Sequence, residues 1–227
     1  YKKIRITNIL LRRKRRIILY QYIVFDLDMT ILNTWEANLC AVKEALEKLE
    51  GKIVEKKDLE HIFGCTTNQT MENFGVKDKR AFIQEWYDGV VRYQHTISFF
   101  EGMKELLYEL KESGYGLGIV TSRTNAEAQV DVERFQMDGI FNQIIGADDV
   151  LMPKPHPDPL NKFIEENKTQ KEKVIYVGDA ISDLKCALRA GVDFAAAGWG
   201  IQSNHDFSES TYYFNHPSEL RKCLLGL

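Results

Sequence analysis

Two aspartates separated by one residue follow a short apolar run near the start of the chain. Asp26 comes directly after the run 22–25, and Asp28 follows two residues later. An apolar run bounded by polar residues is typical of a buried strand in a parallel sheet, and ligands bind just past the carboxyl ends of such strands. Two carboxylates buried there need a cation. An Asp-x-Asp pair also occurs in turns and at helix starts, so the rest of the chain must decide.

Polar side chains follow the other predicted strands as well. Apolar runs at 117–121 and 174–178 predict two more buried strands, and residues 141–145 predict a short one. Because the carboxyl ends of parallel strands meet at one edge of a sheet, we expect the polar residues after them to share a crevice. These residues are Thr121, Ser122 and Arg123 after the second strand, Lys154 beyond the third, and Asp179 and Asp183 after the fourth.

These residue types are suited to the transfer of a phosphoryl group. Asp26 and Asp179 can share a Mg²⁺ ion, which prefers oxygen ligands. One metal-bound carboxylate can attack phosphorus, and Asp28, two residues on, can protonate the leaving oxygen. Lys154 and Thr121 supply positive charge and hydrogen bonds to the transferred group. Such chemistry needs no organic cofactor.

The segment that follows the first predicted strand has the spacing of helices. Apolar residues recur with helical periodicity over 35–49, a second helix-like stretch lies at 57–63, and residues 78–96 predict a third helix. The small polar residues 64–69 predict a loop that could close over a leaving group. We therefore expect residues 34–97 to form an inserted helical cap.

From residue 98 onward, helix-like and strand-like stretches alternate. The predicted helices are 126–137, 159–167, 184–190 and 218–225, and a fifth strand is predicted at 192–196. Repeated β-α units form a parallel sheet with helices on both faces. We predict an α/β fold with a Rossmann-like, three-layer parallel sheet, whose core comprises residues 21–33 and 98–227.

Residues 1–20 differ from the remainder in charge. They contain eight Lys and Arg residues and no acid, whereas the remainder has 22 basic and 33 acidic residues, a net charge of −11. We expect no nucleic-acid binding by this acidic body, because phosphate backbones need a basic face. Three interpretations of the basic extension 1–20 stay open: a surface strand or helix, a poorly ordered extension, or a patch for nucleic acid or a membrane surface.

The cysteines and the hydropathy pattern limit the class of protein further. Four cysteines are spread along the chain without a Cys-x-x-Cys pair, which argues against a disulfide framework and a thiolate zinc site. This pattern predicts a reducing, cytoplasmic location. No apolar run is long enough to predict a membrane span, and no feature of the sequence indicates an oligomeric state.

Four signatures, in order, resemble those of the haloacid dehalogenase (HAD) superfamily in its phosphatase branch. Asp-x-Asp-x-Thr is matched by residues 26–30, and the Thr or Ser after an apolar strand by Thr121. The signature lysine is matched by Lys154, and Gly-Asp-x-x-x-Asp by residues 178–183. The resemblance covers residues 21–200. Within the family, the sequence is similar to the phosphoglycolate phosphatase-like members with a helical cap. It implies a HAD-like core.

The resemblance implies a Mg²⁺-dependent phosphatase for a small phosphorylated metabolite, such as a phosphoglycolate-like compound or a sugar phosphate. Asp26 would be the nucleophile and a metal ligand, and Asp28 the general acid and base, with its backbone carbonyl on the metal. Asp179 would be a direct metal ligand, with Asp183 a ligand or a partner of the ligands. Thr121 and Lys154 would bind the phosphoryl group, and Ser122 and Arg123 are further candidates for substrate contact.

Related activities use much of the same site. Asp28 argues against a dehalogenase, because a halide leaving group needs no proton. A sugar-phosphate mutase would use the same residues and stays an alternative, as does a phosphate-responsive regulatory module with a similar acid pocket. Met29 departs from the family pattern, in which glycine is common at this position.

Overall fold

The computed structural model describes residues 20–59, 67–201 and 205–226. Its main sheet has six strands in the order β5-β4-β1-β6-β7-β8, and every neighbouring pair is parallel. The strands are β1 Tyr22–Phe25, β4 Gly116–Val120, β5 Gln143–Ile145, β6 Val174–Gly178, β7 Asp193–Ala197 and β8 Tyr212–Phe214. The predicted α/β fold with a parallel sheet is therefore confirmed.

The central strand β1 is buried on both faces. Ile23, Val24 and Phe25 are fully buried, and β1 pairs with β4 on one side and β6 on the other. Because successive side chains point to opposite faces of a strand, Ile23 and Phe25 join one apolar core while Val24 joins a second. A strand buried in this way needs helices over both faces of the sheet, which makes the core three layers thick.

The helices of these outer layers are α5 Met103–Glu112, α6 Asn125–Arg134, α7 Asp158–Glu166, α8 Ile181–Ala190 and α9 Pro217–Leu225. Buried residues of α5, α6 and α9 pack on the face that carries Phe25, and those of α7 and α8 pack on the face that carries Val24. Each core helix predicted from the sequence is present, although α8 begins three residues earlier than expected. The short strand β8 was not predicted.

Four helices that the structure describes after β1 lie between two short strands. β2 Leu32–Asn33 and β3 Ser98–Phe99 form an antiparallel ribbon, and the chain between them carries α1 Trp35–Glu50, α2 Lys56–Leu59, α3 Thr67–Asn73 and α4 Lys79–Arg92. These helices have their own apolar core, in which Leu39, Val42 and Leu46 of α1 meet Phe82 of α4. The residues between the two ribbon strands are called the helical segment below.

Two helices of the helical segment approach each other closely at a glycine. A Cβ atom at Gly89 of α4 would lie 2.7 Å from the Cβ atom of Ala41 in α1. Only glycine therefore allows the two helices to approach this closely. The predicted loop 64–69 differs from the structure, because residues 67–69 belong to α3; residues 64–66, and the end of the predicted helix 57–63, lie outside the described residues.

Tyr20 marks the point at which the described chain begins. Its side chain is buried, and its hydroxyl donates a hydrogen bond of 2.5 Å to Asp193 Oδ2 at the start of β7. Tyr20 therefore packs on the core, although it was assigned to the basic extension; residues 1–19 lie outside the described part. Among the helices described, none is both long and apolar enough to cross a bilayer.

Candidate active site

The predicted site residues meet at the carboxyl edge of the sheet. Asp26 follows β1, Asp179 and Asp183 follow β6, and Lys154 reaches them from the long connection after β5. The Nζ atom of Lys154 donates hydrogen bonds of 2.8 Å to Asp26 Oδ1 and 2.7 Å to Asp183 Oδ1. Residues as distant as 26 and 183 in sequence thus form one hydrogen-bonded group, as the strand-end pattern predicted.

Tyr176 completes this group and was missed by sequence reasoning. Its hydroxyl accepts a hydrogen bond of 3.1 Å from Lys154 Nζ and lies 3.0 Å from both Asp183 Oδ1 and the carbonyl oxygen of Val120. A tyrosine in an otherwise apolar strand was the signal, since a buried hydroxyl needs a partner. We call Asp26, Lys154, Tyr176, Asp179 and Asp183 the strand-end cluster.

Asp183 is held on both of its oxygens. Oδ1 accepts from Lys154, and Oδ2 accepts a hydrogen bond of 3.0 Å from the backbone amide of Ala180. The carboxylate is fully buried, and a Cβ atom at Gly178 would lie 2.6 Å from Oδ2. The missing side chain at position 178 therefore leaves room for Asp183, whose negative charge fixes the position of Lys154.

The strand-end cluster has more negative than positive charge. Asp26, Asp179 and Asp183 each offer an oxygen within 4.8 Å of the others, while Lys154 is the single cation of the cluster. Burial raises the pKa of Asp26 to about 7, with Lys154 lowering it and Asp183 raising it. Burial also raises the pKa of Asp179 well above its ordinary value, and the charges of Asp26 and Asp183 add to this.

This excess of negative charge fits a divalent cation. Hard carboxylate oxygens are the ligands that Mg²⁺ prefers, and a cation among them would remove the repulsion that disfavours their ionised forms. Thr30 donates a hydrogen bond of 2.8 Å from Oγ1 to Asp179 Oδ1, which orients this carboxylate toward the cluster. The donor set present is therefore suited to a bound Mg²⁺ ion.

Lys154 is almost fully buried. Its side chain is 2% exposed, and burial alone would lower its pKa. Asp183 and Asp26 outweigh this effect, so the pKa of Lys154 is raised above its ordinary value and the ammonium group stays charged. A buried, permanently charged donor beside Asp26 is well placed to attract an anionic group.

Asp28 lies beside a second charged group. Arg123 holds its carboxylate with two guanidinium nitrogens, of which Nε lies 2.7 Å from Oδ2. Another nitrogen of the same guanidinium donates a hydrogen bond of 2.6 Å to Asp131 Oδ2 in α6. Burial alone would lower the pKa of Arg123, but the two carboxylates outweigh it and raise that pKa further. Asp131 was also not predicted from the sequence, because the pattern of α6 does not distinguish this buried acid from the exposed acids of a helix.

Thr121 and Ser122 occupy different positions at the end of β4. Thr121 is 2% exposed, and its Oγ1 atom accepts a hydrogen bond of 3.2 Å from the backbone amide of Arg123. Ser122 is exposed and faces a cavity beside Asp28. Of the predicted substrate-contact residues, Lys154 lies in the strand-end cluster, whereas Ser122 and Arg123 line the cavity.

The loop between Asp26 and Thr30 has a strained turn at Met29, where the chain departs from the family pattern. Met29 has a φ of 57°, a left-handed conformation that glycine adopts without steric cost. Its carbonyl group packs against Gly200, where an added Cβ atom would lie 1.6 Å from the Met29 oxygen. Trp199 donates a hydrogen bond of 2.9 Å from Nε1 to the Thr30 carbonyl oxygen and braces the same loop.

A cavity of about 380 Å³ lies between α4 and α6, and Asp28 is on its wall. We call it the α4–α6 cavity. The face contributed by α4 consists of Ile83, Trp86, Tyr87, Val90 and Val91. The opposite side includes Arg123 and, from α6, Glu127, Val130 and Asp131. Asp28 thus lies at the polar edge of the sheet and also lines a cavity whose α4 wall is largely apolar.

The fold and site define a class of protein: an α/β protein with an acidic site, suited to a divalent cation, at the carboxyl edge of a parallel sheet. The sequence profile described as haloacid dehalogenase-like hydrolase matches residues 23–197. The chain therefore belongs to the haloacid dehalogenase-like hydrolase family. The prediction of an enzyme of this family, a HAD-family phosphatase, is confirmed.

Two curated relatives cover most of this chain. A protein from Caldanaerobacter subterraneus subsp. tengcongensis, named as a proposed pyrophosphatase PpaX, is 30% identical over 79% of this chain and 82% of its own length. The pyrophosphatase PpaX of Bacillus cereus (strain G9842) is 26% identical over 79% of this chain and 84% of its own length.

A solved structure superposes on most of this chain. The crystal structure of a proposed phosphoglycolate phosphatase from Lactobacillus plantarum superposes with a TM-score of 0.83 at 27% identity, covering 90% of this chain and 99% of its own. Because 90% of the chain is more than the sheet and its covering helices contain, the likeness extends into the helical segment.

Proposed function

We propose that this enzyme is a Mg²⁺-dependent phosphatase that hydrolyses a small phosphomonoester through an aspartyl-phosphate at Asp26. The observation that carries the proposal is the hydrogen bond of 2.8 Å between Asp26 and the buried ammonium group of Lys154, within a cluster of three carboxylates. This arrangement provides a nucleophile and positive charge for an incoming phosphate at one point.

We assign the Mg²⁺ site to Asp26, Asp179 and the backbone carbonyl group of Asp28. Bound Mg²⁺ would draw in the phosphate dianion and stabilise negative charge on its oxygens. We assign Asp183 a positioning role and not that of a direct ligand, because its two oxygens already accept hydrogen bonds from Lys154 and from the backbone amide of Ala180. Its charge keeps the ammonium group of Lys154 directed at Asp26.

The reaction follows from the positions of the side chains. A carboxylate oxygen of Asp26 attacks phosphorus, and the bond from phosphorus to the leaving oxygen breaks. Lys154 and the Thr121 hydroxyl hold the phosphoryl oxygens, while protonated Asp28 donates its proton to the leaving oxygen. Asp28 then accepts a proton from the water that attacks the acyl phosphate, which releases inorganic phosphate and restores Asp26.

Arg123 takes a positioning role in this proposal. Its position after the second predicted strand made it a candidate for substrate contact, but its guanidinium group is held between Asp28 and Asp131. A bidentate guanidinium–carboxylate pair fixes the orientation of the carboxylate. Arg123 therefore aims Asp28 at the leaving oxygen, and Ser122, exposed on the cavity wall, stays a candidate for direct substrate contact.

The helical segment acts as the cap in this proposal, with the boundaries 34–97 inserted into a core of 21–33 and 98–227. Its helix α4 forms one wall of the cavity beside Asp28, and the ribbon β2–β3 joins it to the core. Movement about this ribbon would admit the substrate, and closure would exclude water while the leaving group departs. The cytoplasmic location inferred from the cysteines stays a prediction.

The proposal is tested by the Mg²⁺-dependent release of phosphate from p-nitrophenyl phosphate. Protein stripped with EDTA should be inactive until Mg²⁺ is added, and Asp26→Asn should lower kcat by about 10³-fold or more. Asp206→Asn is the matched control, because Asp206 lies exposed and bonds only to Ser208 in the described contacts. Acid-quenched wild type should carry a hydroxylamine-labile phosphoryl group that Asp26→Asn lacks.

Two results would contradict the proposal. Undiminished turnover in Asp26→Asn would exclude the aspartyl-phosphate. Conversion of a sugar phosphate to its isomer, without release of inorganic phosphate, would favour the mutase alternative.

A further inference from the structure

The cavity beside Asp28 exposes apolar side chains from both of its walls. On α4, Val91 is 61% exposed and Tyr87 is 38% exposed, and across the cavity Val130 of α6 is 59% exposed. Ile83 and Val90 extend the apolar surface along α4. Large apolar side chains left uncovered on facing helices, next to a reactive carboxyl group, indicate a surface that a ligand covers.

The charges on the cavity wall are mostly negative. Among the lining residues that the structure describes, Asp28, Glu127 and Asp131 are acidic, and Arg123 is the only Lys or Arg. The guanidinium group of Arg123 already bonds to Asp28 and Asp131. A second anionic group on a substrate would therefore find no unpaired cation here and would be repelled by the carboxylates.

We infer that the α4–α6 cavity binds an uncharged, apolar leaving group, so that the substrates are phosphomonoesters of apolar alcohols or phenols. The inference rests on the proposed function and names the substrate class of the same site. With the phosphate at Asp26, the leaving oxygen lies near Asp28, and the organic part of the ester extends into the cavity that Asp28 borders. The volume of about 380 Å³ is large enough for a leaving group with one aromatic ring.

This substrate class differs from the substrates for which the relatives are named. Pyrophosphate and phosphoglycolate both carry a second anionic group beyond the reacting phosphate. Such a group needs a cation or several hydrogen-bond donors in a desolvated site. Among the described lining residues, the neutral polar ones are Thr34, Asn38, Gln94 and Ser122, and the Asn38 amide already bonds to the Thr34 carbonyl oxygen and to Trp86. The described walls of the cavity therefore offer no unpaired cation for a second anionic group, and we expect the specificity of this enzyme to differ from that of its relatives.

The first experiment compares two esters of alkyl alcohols, benzyl phosphate and phosphoglycolate, so that leaving-group reactivity does not decide the outcome, and adds the anhydride pyrophosphate as a second substrate with two anionic groups. We expect kcat/KM in the presence of Mg²⁺ to be at least tenfold higher for benzyl phosphate than for phosphoglycolate or pyrophosphate. Equal values, or a preference for either bis-anionic substrate, would overturn the inference while leaving the proposed phosphatase activity intact.

The second experiment places a cation in the cavity. Val130→Lys should lower kcat/KM for benzyl phosphate and raise it for phosphoglycolate, shifting their ratio by about tenfold or more, because an ammonium group pairs with the carboxylate and disrupts the apolar surface. Val130 is exposed on a helix, so the variant should fold. Leu188→Lys on α8, where Leu188 is 42% exposed outside the cavity, should leave the ratio unchanged.

An alternative explanation for the exposed apolar side chains of α4 and α6 is that the two helices contact each other when the cap closes. In that case Val130→Lys would slow both substrates by the same factor, which would overturn the inference.

A binding measurement separates this inference from the proposed activity. Calorimetry in Mg²⁺ should show that wild type binds benzylphosphonate more tightly than phosphonoacetate, and that Val130→Lys reverses the order. If these phosphonates bind as expected but no ester is hydrolysed, the cavity inference stands and the proposed function fails. If phosphonoacetate binds more tightly to wild type, the cavity inference is wrong whatever the activity.

Discussion

The strand-end cluster and the α4–α6 cavity are built from opposite kinds of side chain, although Asp26 and Asp28 join them within one loop. In the cluster, the ammonium group of Lys154 bonds to Asp26, Asp183 and Tyr176 and is almost fully buried. In the cavity, apolar side chains such as Val91 and Val130 are largely exposed. The charged groups of the cluster are held in place by one another, whereas the apolar side chains of the cavity are exposed to solvent.

This difference suggests that the strand-end cluster carries out the reaction and that the α4–α6 cavity determines the choice of substrate. The cluster lies on strands of a buried sheet, where moving one charge leaves others without partners. The cavity wall lies on helix surfaces, where a substitution changes contacts with a ligand but few contacts within the protein. Substitutions in the cluster should therefore affect stability and turnover together, and substitutions in the cavity should affect mainly the choice of substrate.

The largest effect is expected from removing the cluster's cation. Lys154→Met leaves Asp26 and Asp183 buried without their counter-ion, so it should lower the free energy of unfolding by about 3 kcal/mol. It should also lower kcat/KM by about 10²–10³-fold, because a phosphoryl-binding donor is lost. Urea unfolding and phosphate release measure the two effects.

A cavity substitution provides the contrast for this prediction. Val91→Ala should change the free energy of unfolding by only about 0.5 kcal/mol, since Val91 is 61% exposed. Equal destabilisation by Lys154→Met and Val91→Ala would show that the two regions are not built differently.

The next effect is a dependence of stability on pH that the Asp26 carboxyl group produces without metal. Its pKa is about 7 in the folded protein against an ordinary 3.8, so the folded state binds this proton more tightly than the unfolded state. Ionisation therefore destabilises the fold progressively as pH rises from about 4 to about 7, on the order of 1 kcal/mol per pKa unit. In EDTA, Asp26→Asn should gain stability relative to wild type over this range.

Mg²⁺ should oppose the pH effect, because a cation favours the ionised carboxylates. Adding Mg²⁺ to wild type should reduce the loss of stability between pH 4 and 7, measured as the free energy of unfolding in urea. A constant difference between wild type and Asp26→Asn across this range would show that Asp26 is not the titrating group.

The smallest effect compares two tyrosine hydroxyl groups. Tyr176→Phe removes the partner of Lys154 and Asp183 in the cluster and should cost about 1–3 kcal/mol of unfolding free energy. Tyr87→Phe removes a hydroxyl group in the cavity that bonds to Glu127, near solvent, and should cost less than about 1 kcal/mol. If Tyr87→Phe proved the more costly, the cluster could not be the more rigid region.

Asp26 and Asp183 could be predicted from the sequence because they come after apolar runs, and parallel strands bring their ends together. Lys154 lies farther along the chain, in the connection after the third predicted strand, which returns to the same edge of the sheet. Tyr176 and Asp131 could not, since their partners lie on other elements and local spacing does not reveal which face of a strand or helix they occupy. The fold class followed from the alternation of helices and strands.

The cavity depends on packing that no single stretch encodes. Its walls come from α4 and α6, whose facing residues Val91 and Val130 are far apart in the chain. The sequence of residues 78–96 predicted a helix but not which of its apolar side chains would face the cavity. Trp86 packs against Phe82 and also lines the cavity.

The ribbon of β2 and β3 allows the helical segment to evolve independently of the core. Asn33 and Ser98 are paired neighbours across the ribbon, so the chain leaves the core and returns to it at almost the same place. A short hairpin turn could bridge that gap in place of the whole helical segment. The helical segment can therefore be shortened, enlarged or exchanged in the course of evolution while Asp26 and Lys154 keep their positions.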